Sequence, residues 1–191
     1  GYAGSVINDG QIGYGPFDTT LISYTYDAGN GFSAILSLED DSGLGEGYIP
    51  NIVAGAKYSA NGFGITGVVG YDEFTSEVAA KLRLDASAGA FSAFLMGGYA
   101  TGPGFYNSWD VDLDPLDSDW AIWAGASYKV SEKVALNAEV DYADGGAFGA
   151  AANVVYTAVP GFDVTTEVNY QNSDLAGKNI WGGTIRFQRS F

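Results

Sequence analysis

From Thr19 to the end of the chain, segments of about ten residues alternate apolar and polar side chains, and this period of two constrains the fold more than any other feature. In 162–171, Phe162, Val164, Thr166, Val168 and Tyr170 alternate with Asp163, Thr165, Glu167, Asn169 and Gln171. In 78–86, Val78, Ala80, Leu82, Leu84 and Ala86 alternate with Ala79, Lys81, Arg83 and Asp85. The pattern predicts strands over 19–28, 31–40, 50–59, 62–72, 76–86, 90–100, 119–130, 133–143, 146–158, 162–172 and 178–191. Tight turns at 28–31, 59–62, 86–89, 130–133 and 159–161 join alternate pairs, and the other connections vary more, up to the long one from Thr101 to Asp119. The expected architecture is an all-β, up-and-down antiparallel meander forming one domain over 1–191, with no linker or change of composition inside it.

Alternation alone fits either a soluble sheet with one wet face or a membrane barrel. The heights of the aromatics separate the two. Phe opens and Tyr closes the apolar face in Phe63–Tyr71, Phe91–Tyr99 and Phe162–Tyr170. At about 3.3 Å per residue and a tilt near 40°, that spacing climbs roughly 20 Å, close to the apolar band between the two aromatic girdles of an outer-membrane barrel. A soluble lipocalin-like barrel has no reason to sort aromatics by height. A transmembrane β-barrel follows, with Phe63, Tyr71, Phe91, Tyr99, Phe162 and Tyr170 facing lipid. No run of about 18 apolar residues exists, which removes transmembrane helices.

The polar positions carry Lys57, Lys81, Arg83, Lys129 and Arg186, with Glu77, Asp85, Glu139 and Glu167 among the carboxylates, and these are the candidate pore-lining residues. Two readings of the bases stand side by side. They could form a wall facing carboxylates across the pore, or serve only to wet it. The formal charge of −15 argues against nucleic acid as a partner. Cys and His are absent, so the usual thiolate and imidazole ligands, nucleophiles and bases are not available within these residues, and no cofactor or metal is expected. In the acidic loop 108–120, Asp110, Asp112 and Asp114 mimic the start of a calcium loop, but Pro115 and Ala121 stand where its Gly and bidentate Glu belong. A solvated acidic loop is preferred to a weak divalent site at the lipopolysaccharide surface.

The end of the chain, with Ile185, Phe187 and Phe191, resembles the C-terminal strand of bacterial outer-membrane proteins, and the resemblance makes Phe187 and Phe191 a signal for the barrel assembly machinery. Arg189 departs from that pattern. Over the whole chain, "GYAGSVINDG", "ISYTYDAGNGFSAILSLED" and "WGGTIRFQRSF" resemble the general porins of alphaproteobacteria. The resemblance implies a passive, usually trimeric channel of sixteen strands in the Gram-negative outer membrane, among lipid and lipopolysaccharide. About eleven strands are visible, so five would be absent from the N-terminal side. Residues 1–18 would then be the remainder of the pore-constricting third loop, with Asp9 and Asp18 its charges; the alternative hides a twelfth strand in 1–15. The function expected is passive diffusion of small hydrophilic solutes and ions with mild cation preference. The competing function is a barrel lipase or protease with part of its site in sequence not present here.

Overall fold

A computed structural model describes residues 6, 12–14, 19–40, 49–103, 106–107, 109, 119–173 and 178–190. Eleven strands follow one another: β1 (Leu21–Asp27), β2 (Phe32–Glu39), β3 (Asn51–Ala60), β4 (Phe63–Asp72), β5 (Glu77–Ala88), β6 (Phe91–Ala100), β7 (Trp120–Lys129), β8 (Val134–Ala143), β9 (Phe148–Val159), β10 (Phe162–Ser173) and β11 (Lys178–Arg189). They make one sheet in sequence order, each strand antiparallel to the next. β1 and β11 form its edges and do not pair with each other. Of the proposed twelfth strand, only residue 6 and residues 12–14 are described, and they are not strand.

The hairpins sort into two ends. At the turn end, Ala60 pairs with Phe63, leaving Asn61 and Gly62 as a two-residue loop with φ of 51° and 80°. Two positive φ values are what a type I′ turn needs, and its twist matches the strands it joins. A Cβ on Gly62 would also lie 2.4 Å from the Ser87 carbonyl oxygen, so glycine is required there twice over. At the loop end lie the longer connections, including 101–119.

Register fixes the faces, because directly opposed residues in an antiparallel pair share one side. Lys57, Thr66, Arg83, Met96, Trp123 and Asp141 form one continuous row across β3 to β8. The opposite side carries Leu36, Leu82, Leu95, Val168, Ile185 and Phe187, all exposed, with Phe187 at 68%. The fully buried residues sit instead among the polar positions: Trp123 and Trp109 at 0%, Glu167 at 1%, Asp141 and Glu139 at 2%. This distribution is inside out relative to a soluble sheet, which hides its apolar face and wets the polar one. The soluble lipocalin-like alternative is therefore removed. An apolar face this large, left bare across all eleven strands, suits hydrocarbon rather than water.

The expectation of a solvated loop at 108–120 needs correction at its start. Trp109 is wholly buried on the polar face, where it joins Ile12, Tyr14, Phe94, Met96 and Trp123 in an apolar cluster. Asp110, Asp112, Asp114, Pro115 and Asp117 lie outside the described residues. Trp109 is accommodated there because the polar face offers the Trp123 indole, the Phe94 ring and the Met96 thioether.

Candidate functional site

The polar face is divided by strand. Lys57, Lys81 and Arg83 stand on β3 and β5, whereas Glu139, Asp141, Asp163 and Glu167 stand on β8 and β10. Alternation puts each of them on the same side of the sheet, and their strand of origin sets their distance apart, at about 4.8 Å per strand. Arg83 holds Asp85, two residues on and on the same face, with Nη2 2.8 Å from Oδ1. Its guanidinium also lies 4.1 Å from the centroid of the Phe94 ring. The Lys81 ammonium donates to the Tyr14 carbonyl oxygen and stands 5.6 Å over the Trp109 ring. Glu77 accepts a hydrogen bond from Thr101 at the loop end. Lys57, Lys129 and Arg186 are exposed, Lys129 at the turn end of β7 and Arg186 opposite Thr165.

On the acidic side, side chains are joined across strands. Asn137 Nδ2 donates to Asn153 Oδ1 at 2.7 Å, and Asn153 Nδ2 donates to Glu167 Oε2 at 3.0 Å. Thr157 Oγ1 donates to Asp163 at 2.6 Å. A buried carboxylate is costly unless hydrogen-bonded, and Asn153 on the neighbouring strand supplies Glu167 with a donor at the required height. Glu139 and Glu167 thus lie on the polar face but are buried.

Two segments remote in sequence cover this face toward the loop end. Trp123 Nε1 donates to the Ile12 carbonyl oxygen at 3.1 Å, and the Tyr14 ring stacks on the Trp123 ring at 5.7 Å. Trp109 meets Trp123 edge to face at 6.0 Å. Both indoles can approach the wall because Gly98 has no side chain there; a Cβ would stand 3.2 Å from Trp123 and 3.3 Å from Trp109. Tyr106 lies over Gly70, and its hydroxyl donates to Glu39 Oε2 at 2.9 Å. Burial, reinforced by the Glu39 hydrogen bond and charge, pushes the Tyr106 phenol well above its ordinary pKa. Toward the turn end the face opens into a cavity of about 750 Å³ bordered by Lys57, Arg83, Asp85 and Phe94.

On the bare face, Phe63, Tyr71, Phe91 and Tyr99 are exposed, Phe162 is half-buried, and Tyr170 is half-buried among neighbouring rings. Those rings extend the loop-end row beyond the Phe–Tyr spacing: Trp120 meets Tyr142 at 5.7 Å, Phe148 meets Tyr170 at 6.0 Å, and Tyr170 meets Trp181 at 4.9 Å. Phe187 is opposite Val164 on this face, and Arg189, at the turn end, donates to the Pro160 carbonyl oxygen at 3.2 Å. Asp9, Asp18 and Phe191 lie outside the described residues. Sequence alone did not single out Tyr14, Phe94, Trp109 and Trp123. The signal available for two of them was parity: Phe94 and Trp123 occupy polar positions of their strands.

An all-β antiparallel sheet with a bare apolar face, aromatic rows near its ends and a covered polar face is the wall of an outer-membrane β-barrel. The chain matches the model of a porin subfamily over residues 1–186 and belongs to that subfamily, which places it in the Gram-negative outer membrane. It is 41% identical over 212 residues to Porin Omp2b of Brucella canis and of Brucella suis, covering 100% of this chain and 57% of each relative. The chain thus spans little more than half the length of these curated relatives. Among solved structures it resembles the outer membrane channel DcaP of Acinetobacter baumannii, with a TM-score of 0.65 over 87% of this chain and 60% of that one. At 16% identity, that likeness concerns the fold.

Proposed function

We propose that this chain contributes the wall of a water-filled channel for passive diffusion of small hydrophilic solutes and ions. The observation that carries the proposal is the inside-out sheet: apolar residues are bare on one side, while charged rows on the other are partly covered by inward-lying segments. Such a surface faces lipid outside and an aqueous path within, and the covering segments narrow that path. Ile12–Tyr14 lying against Trp123 supports assigning 1–18 to the constricting loop. The rows of bases and acids support a pore lining with Lys57, Lys81, Arg83, Lys129, Arg186, Glu77 and Asp85 near the path and with Glu139 and Glu167 as its buried acidic side. Family membership supports extending the proposal to a sixteen-stranded trimer, assembled by the barrel machinery through Phe187 and Phe191 and touching lipopolysaccharide at the loop end.

A barrel enzyme is the weaker reading. Glu167 already accepts an amide from Asn153, which leaves it poorly placed as half of a hydrolytic carboxylate pair, and the 191 residues hold no His. Planar-bilayer recording of the full-length protein tests the proposal. Stepwise, ohmic conductance increments are expected, and folded protein that gives no conductance would defeat the channel function.

A further inference from the structure

At the turn end the polar face holds a cavity of about 750 Å³, within the roughly 300–1,000 Å³ typical of small-molecule sites. Its described lining contains three charges. Arg83 and Asp85 are paired, with Nε and Nη2 both on the carboxylate at 2.9 and 2.8 Å, so together they contribute no net charge. Lys57 is the third, and its ammonium has no hydrogen-bond or ionic partner among the described residues. The cavity therefore carries one net positive charge on a flexible stem. Around it stand the hydroxyls of Ser59, Thr66, Ser87, Ser92 and Ser127. Each such hydroxyl can donate or accept by rotation, which suits other hydroxyls.

We propose that this cavity is a weak subsite for a small hydroxylated monocarboxylate, such as a sugar acid or hydroxy acid, with Lys57 on the carboxylate and the serine hydroxyls on the ligand's own. The competing ligand classes fit less well. Asp85 is the lone described carboxylate of the lining and is already occupied by Arg83, which leaves nothing for a cation. A dianion would find a single uncompensated charge. A stacking ligand would need Phe94, whose ring Arg83 already covers and whose edge is pressed against Gly125. The open, hydrated setting makes the site weak, which suits a way-station in a diffusion path, so the inference rests on the channel proposal.

Two measurements on the full-length protein test it. In planar bilayers, sodium gluconate added to one compartment at a time is expected to reduce and roughen the current at concentrations where glucose does not. Lys57→Gln should raise the half-blocking concentration about tenfold, the scale of one charge-assisted contact. Lys57→Arg should keep the block, and Lys133→Gln, in the β7–β8 turn outside the cavity, should leave it at the wild-type value. Equal block by gluconate and glucose, or the same block in Lys57→Gln as in wild type, overturns the subsite. Saturation-transfer NMR of gluconate on the detergent-folded protein reads the site without conduction. Signal lost in Lys57→Gln supports the subsite, and no signal in wild type overturns it. Failure of the channel proposal shows up differently, as folded protein with no conductance.

Discussion

At the scale of single residues, the covered face depends on glycines facing rings. A Cβ on Gly125 would stand 2.3 Å from Phe94 Cε1, so the ring that carries Arg83 lies where no other residue type leaves room. Gly125→Ala should displace Phe94 and cost about 1–3 kcal/mol, the usual penalty of overpacking. A lower urea midpoint for the folded protein in detergent checks this, and an unchanged midpoint would mean that the ring moves aside freely. Tyr106 gives a pH prediction. Its raised pKa in the fold means that its contact with Glu39 contributes fully below the free phenol value, about 10, and that this contribution drains away as pH rises beyond it. Raising the pH from about 10 toward the raised value in the fold should therefore shift tryptophan emission as the segment carrying Trp109 loosens, and Tyr106→Phe should lack most of that step. An emission spectrum flat over this range in wild type would contradict the assignment. Such residues were legible in the sequence only as exceptions. Phe94, Met96 and Trp123 break the parity of their strands, and a large apolar side chain at a polar position marks where something else lies on the wall. What lies there was not legible, because the partner of Trp123 is Ile12, 111 residues earlier.

At the scale of elements, the two ends of the sheet differ in kind. Turn-end hairpins such as Asn61–Gly62 are set by local backbone chemistry, so strand order, pairing and near-exact boundaries could be read from the chain. Loop-end segments are set by contacts made far away, and the acidic loop reads as solvated because its aspartates outnumber its one informative residue, Trp109. That indole joins the wall to the segment ending at Tyr14: it stands edge to face on Trp123, which stacks on Tyr14, and it lies beneath the Lys81 ammonium. Removing it should release the loop while sparing the strands, whose ladders do not involve it. Trp109→Ala is therefore expected to give larger and noisier single-channel conductance with the same β-sheet circular dichroism. Conductance equal to wild type would mean that the loop does not border the path.

At the scale of the whole molecule, charge and position pull in opposite directions. The chain carries −15, with Glu39 and Asp72 toward the loop end and Asp163 toward the turn end, and negative charge at a mouth concentrates cations within about 8 Å at physiological salt. The bases on β5 sit mid-strand instead, where a narrow path gives each charge more weight. They are not equally effective. Asp85 neutralises Arg83 within one strand, while Lys81 is paired among the described residues with a carbonyl dipole and a ring face, so Lys81 is the stronger brake on cations. On the far side, Glu139, Asp141 and Glu167 are buried, and a charge beneath other groups acts on the path through a lower dielectric than one at the water surface. The balance favours cations mildly. Under a KCl gradient, the full-length protein should show a small reversal potential of cation-selective sign. Lys81→Gln and Arg83→Gln should each increase it, the first by removing a positive charge and the second by leaving the Asp85 carboxylate uncompensated. A reversal potential of strongly anion-selective sign would show that the bases control the path, and an identical value in wild type and Lys81→Gln would show that Lys81 lies off it.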